Sequence, residues 1–472
     1  LNMDFYGINL SETPSVKYWD MLILIPVLSG LSALIMCVIQ NKINVLQKEQ
    51  GAISQWGMTA FMVVFSTYFA FLVPAGVGLY WIFGNLFSIL VMLLVNKIYD
   101  PKKYIDYNKR PQKVILSKEQ KQILKEAKKH NKMRENADCK RFFAYENKQL
   151  VFYSEKNGFY KYFERTIQYI LNNSDIVIHY VTSDPDDTIF QKNNPRLIPY
   201  YIGDKALISF MMRMDADMVV MTMPDLQRYH IKRSLVRKDI EYVYMFHYPL
   251  STHMVLRKGA LDHYNTIFCV GDFQFDEIRA TERLYDLPEK KLISCGYGQL
   301  EKLYESYCRM ERDSRENKKI LIAPSWQPGN ILDSCIDELL SVVLGKGYQV
   351  VVRPHPEYVK RYGYRMEAIV NRYKDYDGGD LTFELDFSSN SSIFDSDVVI
   401  SDWSGTAYEF SFVTKKPSIF INTPPKINND EYDLIKVEPL EIILRNKIGI
   451  QLEPDNLSDT ANEINRLITS AE

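Results

Sequence analysis

The sequence predicts two doubly wound α/β domains preceded by three transmembrane helices. Three observations carry this. The first hundred residues contain two long windows without Asp, Glu, Lys or Arg, a Lys-rich helical pattern follows, and from about Leu150 short β-branched runs alternate with amphipathic stretches of helix length. A chain of 472 residues holds roughly three structural units at about 150 residues each. Composition removes other classes. Lys+Arg total 57 and Asp+Glu 59, a net charge of −2, without the basic excess of a dedicated nucleic-acid binder. Charged residues at 25% and apolar residues at 46% exclude wholesale disorder. The six Cys form no C-x-x-C pair, which excludes a small disulfide scaffold and a zinc knuckle and fits a reducing compartment.

The uncharged windows are Met21–Asn41, 21 residues, and Gln50–Asn96, 47 residues. About 20 apolar residues cross the hydrocarbon core as a helix. The second window therefore holds two helices, broken at Pro74-Ala75-Gly76. The expected spans are 21–40, 57–74 and 77–97, with Tyr18, Trp19, Trp56, Tyr80 and Trp81 as interfacial aromatics. Lys42 and Lys48 lie between the first two spans, and residues 97–141 hold 15 Lys/Arg against 6 Asp/Glu. The positive-inside rule puts both segments in the cytoplasm and the 74–77 turn outside. The chain then reads as a multi-pass cell-membrane protein, its lipid partner the bilayer, its later domains cytoplasmic. Three spans in series do not resemble one cleavable signal peptide. The alternative, a helical hairpin buried in a soluble core, leaves 47 uncharged residues hard to place.

The order of residues in this segment carries a resemblance. Asp4–Ser11 (DFYGINLS), Ile23–Gly30 (ILIPVLSG), Val73–Ile82 (VPAGVGLYWI) and Asn85 are similar to the C-terminal three helices of the YidC-type membrane protein insertase family over about 1–100. The resemblance implies a five-helix insertase core with a polar groove and an Arg on an earlier helix. Neither the earlier helices nor an intramembrane Arg is present in these residues. The chain begins at Leu1 rather than Met, so an upstream part is expected.

The basic stretch follows. Within Ser117–Arg134, Ile123, Leu124 and Ala127 recur among Lys118, Lys121, Lys125, Lys128, Lys129 and Lys132. This reads as a polar helix, opened by a capping box of Ser117 and Gln120. A basic segment just inside a membrane gains about 1 kcal/mol per Lys or Arg near anionic lipid. A helix on the lipid surface and a solvated linker helix both fit.

Beyond it, the expected strands are Ile176–Thr182, Met218–Thr222, Tyr242–Phe246 and Thr266–Val270. A second set comprises Ile320–Pro324, Gln349–Arg353, Asp397–Ser401 and Ser418–Ile421. Near-continuous apolar strands separated by helices indicate parallel sheets covered on both faces. The charged run Met310–Lys319 separates the sets. The resulting organisation is 1–100 membrane segment, 101–145 connector, 146–312 first α/β domain and 313–472 second. Such sheets bind ligands beyond the C-terminal ends of their strands.

The residues at those ends supply the candidates. His247 follows the third strand, where a general base or a hydrogen-bonded structural His both fit. Arg353 and His355 flank Pro354, and an extended chain points them to one side, which suits a phosphate or pyrophosphate; an Arg salt bridge at a strand-ending turn is the plainer reading. Ser404, Gly405 and Thr406 open a helix whose free N–H groups suit an anion, and Glu409, a turn along, suits a ribose diol. A plain N-cap by Ser404 fits nearly as well. Asp184-Pro185-Asp186-Asp187 contains oxygen ligands for Mg²⁺ or Mn²⁺ but reads better as a solvated turn. No P-loop and no G-x-S-x-G is found.

The segments Val351–Pro356 (VVRPHP) and Ile400–Pro417 (ISDWSGTAYEFSFVTKKP), with Met221–Leu226, His247, Ser251-Thr252-His253 and Gly259–Glu277, resemble the CDP-glycerol glycerophosphotransferase family of teichoic-acid primases and polymerases over about 150–460. The resemblance implies a GT-B-like pair of Rossmann-type domains, the first on the acceptor side and the second binding the donor nucleotide. The implied donor is CDP-glycerol or CDP-ribitol. The implied acceptor is a hydroxyl of a polyprenyl-linked glycan, which attacks the β-phosphorus so that CMP leaves. It implies no metal held by a dedicated motif; no cofactor is expected, and the near-neutral charge leaves no nucleic-acid partner expected. By position, His247 is implied as the base and His355 as a catalytic partner, with Arg353 and His355 on the pyrophosphate. Ser404, Gly405 and Thr406 are implied at the phosphate, and Glu409 at the ribose or polyol. The family's His-Gly is here His247-Tyr248, which makes His253 an alternative base, and its Ser-Ser is here Ser404-Gly405-Thr406. Two other readings remain: a nucleotide-sugar glycosyltransferase of the same fold, and an insertase fragment fused to a transferase domain.

Overall fold

A computed structural model of the chain describes residues 4–5, 8–17, 20–44, 47, 50–99, 117–229, 231–310, 317–387 and 390–471. The chain divides into two compact units, Leu1–Ile115 and Leu116–Glu472.

The first unit opens with an antiparallel pair of two-residue strands, β1 (Asp4–Phe5) and β2 (Ile8–Asn9). Helices Leu24–Ile43, Ala52–Ala70 and Ala75–Ile98 follow. The break falls where Pro74 caps the last helix, with the N–H groups of Ala75 and Gly76 donating back to Glu12 O at 2.8 Å and Leu10 O at 2.9 Å. Among the described residues, two helices, Met21–Ile43 and Ala75–Ile98, are long and apolar enough to cross a membrane. The third expected span, the middle one, forms as a helix, but Ser54, Gln55, Thr59, Ser66 and Thr67 dilute its apolar character below that mark. It also starts at Ala52, not near residue 57. Tyr18 and Trp19 lie outside the described residues.

The packing of this unit is inverted relative to a soluble core. Ser29, Gly30, Ser32 and Ala33 are buried on the first helix. Ser29 Oγ lies 2.8 Å from Ser66 Oγ, and Asn85 Nδ2 donates to Ser32 Oγ at 3.0 Å. Gly30 and Gly78 permit close approach, since an added Cβ would stand 2.1 Å from Thr67 Oγ1 and 2.5 Å from Ile25 Cγ2 respectively. Large apolar side chains point outward, with Val64 67% and Phe87 68% exposed. Small and polar residues inside with bulky ones outside is the arrangement that helices adopt in lipid, where Leu gains nothing by leaving the apolar solvent.

The second unit opens with the helix Lys118–Ala144. Its capping box is present on both sides: Gln120 N donates to Ser117 Oγ at 3.1 Å and Ser117 N to Gln120 Oε1 at 2.9 Å. The helix runs past Arg134, and its last turns pack onto the first sheet. Phe142 is fully buried, Asp138 Oδ2 accepts from Tyr201 N at 2.9 Å, and Arg134 Nη1 donates to Pro185 O at 2.8 Å.

The first sheet contains β3 (Leu150–Ser154), β4 (Ile178–Thr182), β5 (Leu197–Tyr201), β6 (Met218–Met221), β7 (Glu241–Met245), β8 (Thr266–Cys269) and β9 (Lys291–Ser294). All pairs are parallel, in the order β5-β4-β3-β6-β7-β8-β9. The second contains β10 (Lys318–Ile322), β11 (Tyr348–Val352), β12 (Leu381–Phe383), β13 (Val398–Ser401), β14 (Ser418–Ile421) and β15 (Gly449–Leu452), all parallel in the order β12-β11-β10-β13-β14-β15. In each sheet the strand order thus reverses beside its first strand, between β3 and β6 and between β10 and β13, the doubly wound pattern with its ligand crevice at the reversal. Two-sided burial explains the apolar strands. Val151, Tyr153, Val219 and Met221 face one core cluster while Leu150, Phe152 and Val220 face another. A third cluster joins the halves: Leu250, Leu303 and Tyr307 pack with Leu321, Val351, Phe410 and Phe420. Of the charged connector, residues 311–316 lie outside the described residues.

Candidate functional site

The loops that leave the C-terminal strand ends converge at one place. His247 follows β7. Its ring lies 5.8 Å from those of Phe159 and Tyr162, and its buried Nδ1 has no hydrogen-bond partner among the described residues. Burial, then the charge of Lys426, lowers its pKa to about 4, so the imidazole is neutral near pH 7. The Thr222 backbone raises the pKa in part, as a carbonyl accepting from Nε2–H does, and that tautomer leaves Nδ1 as the proton acceptor.

Glu409 approaches from the other half. Tyr297 Oη lies 3.1 Å from the His247 carbonyl oxygen and 3.2 Å from Glu409 Oε1, so its single proton is shared between two acceptors. Burial raises the Glu409 pKa, while Lys161 and the Tyr297 hydroxyl pull it back. Glu409 stands on the helix Gly405–Thr414, which Ser404 caps by accepting from Thr406 N at 3.4 Å. Ser404 Oγ also lies 3.3 Å from Thr406 Oγ1. A Cβ at Gly405 would meet nothing within 4 Å, so this helix terminus opens onto free space.

The expected strand Gln349–Arg353 ends one residue early, at Val352, because His355 caps the next helix, Pro356–Arg372. His355 Nδ1 accepts from Glu357 N at 3.1 Å. The neutral ring therefore carries its proton on Nε2. Burial and the charge of Lys426 lower the His355 pKa to about 4 as well. Arg353 Nη1 is ion-paired with Glu384 and donates to Ser392 Oγ at 3.2 Å. Part of its fork is therefore already engaged, the plainer reading of this residue.

His253 sits elsewhere. It is 4% exposed, Nε2 lies 2.9 Å from Val437 O, and Nδ1 lies 3.5 Å from Glu277 Oε2. Burial alone would lower its pKa, but Glu277 and the Val437 carbonyl outweigh this and raise it. Beside it, Ser251 N and Oγ donate to Glu441 at 3.0 and 2.7 Å, and Thr252 N and Oγ1 donate to Glu277 at 2.6 and 2.8 Å. Ser251-Thr252-His253 is a hydrogen-bonded seam between the two halves. Asp402, fully buried, accepts from Ser325 N at 2.7 Å, Ile331 N at 3.2 Å and Trp403 N at 2.7 Å, and so pins the loop after β10. The Asp184–Asp187 run is a turn whose carboxylates accept from Asn157 N, Asp186 N, Ile189 N and Thr182 Oγ1. Among the described residues no group of three His, Cys, Asp or Glu side chains has metal-binding geometry.

Sequence reasoning missed three lysines. Lys156 and Lys161 follow β3 and Lys426 follows β14. All three bear electrostatically on both His247 and His355. Lys156 is paired with Glu357 at 3.0 Å. The available signal was their position after strands, with Pro424-Pro425 stiffening the approach to Lys426.

Residues 2–103 match the family model of the 60Kd inner membrane protein, and residues 262–426 that of CDP-Glycerol:Poly(glycerophosphate) glycerophosphotransferase. No curated protein matches the chain. Among solved structures, the wall teichoic acid polymerase TagF is similar at 14% identity and a TM-score of 0.38, over 75% of this chain and 93% of that one. UDP-GlcNAc 2-epimerase of Methanocaldococcus jannaschii is similar at 12% identity and a TM-score of 0.44, over 68% and 92%. The second family match takes in Arg353, His355, Ser404, Gly405, Thr406 and Glu409 and leaves His247 and His253 outside it. The chain is thus glycerophosphotransferase-like over residues 262–426 and 60Kd-inner-membrane-protein-like over residues 2–103.

Proposed function

We propose that this chain is a membrane-tethered transferase. It moves glycerol phosphate, or another polyol phosphate, from CDP-glycerol or CDP-ribitol to a hydroxyl of a polyprenyl-linked glycan or teichoic-acid-like polymer, releasing CMP. The observation that carries this reading is the glycerophosphotransferase match over residues 262–426, the span that contains the helix terminus at Ser404 and the neutral His355. The acceptor O–H loses its proton to His247 Nδ1 as its oxygen bonds to the β-phosphorus. The bond from that phosphorus to the bridging oxygen breaks, and its electron pair leaves with CMP. His355 donates from Nε2 to a phosphate oxygen, a positioned dipole of the kind on which phosphoryl transfer depends. The N–H groups after Ser404 and the hydroxyls of Ser404 and Thr406 hold a second oxygen. Glu409 takes the ribose or polyol diol. His253, engaged in the seam, is not assigned the base. Residues 1–100 form the tether, with all three helices crossing the membrane and the α/β unit on the cytoplasmic side. Residues 101–145 connect, 146–312 receive the acceptor, and 313–472 bind the donor nucleotide. Tethering raises the concentration of enzyme beside a lipid-borne acceptor.

The test is CMP release by full-length protein in detergent. CDP-glycerol, CDP-ribitol and UDP-glucose are supplied in turn, with and without a polyprenyl-diphosphate disaccharide bearing one glycerol phosphate. Acceptor-dependent CMP release, lost in His355→Ala, is expected. UDP release from UDP-glucose, with no turnover of either CDP-polyol, would overturn the reading in favour of a glycosyltransferase.

A further inference from the structure

Lys426 has a setting that the roles above leave unexplained. It lies on the loop after β14, is half-buried, and has no hydrogen bond or ion pair among the described residues. Its Nζ stands 5.7 Å from the centre of the Trp326 ring, which itself lies 6.3 Å from the His355 ring. The loop is held on both sides. Gln327 Nε2 donates to Pro424 O at 3.0 Å, while Asn428 N donates to Met254 O at 3.0 Å and Asn428 Nδ2 to Val255 O at 2.6 Å. The ammonium is thus carried on a loop that bridges the two halves, and it shares the Trp326 ring as a neighbour with His355. Burial pushes the Lys426 pKa down, and the carboxylates of Glu441 and Asp402, neither within ion-pair distance, offset this only in part; an anion arriving at the ammonium relieves the remaining cost. Arg353, the other cation expected at the donor phosphates, already faces Glu384.

We propose that Lys426 is a donor-phosphate ligand, the cation that pairs with the diphosphate of the bound CDP-polyol. This rests on the transferase reading and deepens it. Arg353 then acts from behind, holding the β11 loop through Glu384 and Ser392, and Lys426 makes the direct charge contact. The site thereby selects a nucleoside diphosphate over the nucleoside alone.

Calorimetric titration of the full-length protein in detergent with CDP, CMP and cytidine tests this in wild type, Lys426→Met and Lys426→Arg. Loss of one charge-assisted contact lowers affinity about 10- to 100-fold. Lys426→Met is expected to lose CDP affinity on that scale while cytidine binding stays within about twofold, and Lys426→Arg to restore CDP binding. Lys426→Met is also expected to raise the pH of the acid limb of CMP release, because the cation that depresses both imidazoles is gone. Unchanged CDP affinity in Lys426→Met would overturn the inference. So would an equal loss for CDP and cytidine, which marks a structural role. Wild type that binds none of the three would overturn the CDP-polyol reading itself, so the two failures are separable.

Discussion

His247 and His355 share an electrostatic fate that sequence position alone does not reveal. Burial and Lys426 bring both to a pKa of about 4. A histidine whose folded pKa lies below its unfolded value of about 6.5 stabilises the fold above that value and loses the contribution as pH falls through the folded pKa. Two outcomes follow. The acid limb of CMP release should lie well below pH 6, as a pH–rate profile will read; a limb at about 6.5 would place His247 in solvent. Chemical denaturation between pH 7 and pH 4 should show His247→Asn losing less stability than wild type. The motif residues were legible because each follows an apolar run at a strand end. Lys426 was not, since its lack of a direct ion pair depends on where every carboxylate lies in space. A salt bridge at Arg353 was legible, but not its partner Glu384, which enters from the next strand-end loop.

The helix Lys118–Ala144 shows how one element can change character along its length. Its first turns are exposed on every side, Ile123 at 64%, whereas Phe142 is fully buried against Tyr200 and Phe210. Phe142→Ala is therefore expected to cost about 3–5 kcal/mol, and Ile123→Ala less than about 0.5 kcal/mol, in urea unfolding of the full chain. Asp402→Ala removes the acceptor for three backbone N–H groups of the β10 and β13 loops. At about 1–3 kcal/mol for an unsatisfied buried group, it should lower stability and weaken CDP binding together. The capping box was legible because it is local. The strands β12 and β15 escaped notice because they are short sheet edges with partly exposed residues, so they lack the continuous apolar run that buried strands such as β13 display. The extension of the helix to Ala144 escaped because its docking surface, β5, was itself unread.

Two physical regimes meet in this chain: outside-in packing in the first unit and outside-out polarity in the second. The first regime makes a prediction about the middle helix, the element whose membrane role its composition leaves undecided. Val64 points outward from it at 67% exposure, and the same helix meets the first through Ser66 and Thr59. If that outward face meets lipid, Val64→Lys introduces a charge worth about 2.5–3.5 kcal/mol against insertion. The same substitution at exposed Ile123 leaves insertion untouched, because that helix belongs to the second unit. Extraction of membranes with alkaline carbonate reads the difference. Wild type and Ile123→Lys should stay with the membrane, while Val64→Lys should shift toward the soluble or aggregated fraction. Retention of Val64→Lys at the wild-type level would mean that the middle helix faces protein or water. The tether would then consist of the two helices Met21–Ile43 and Ala75–Ile98 alone.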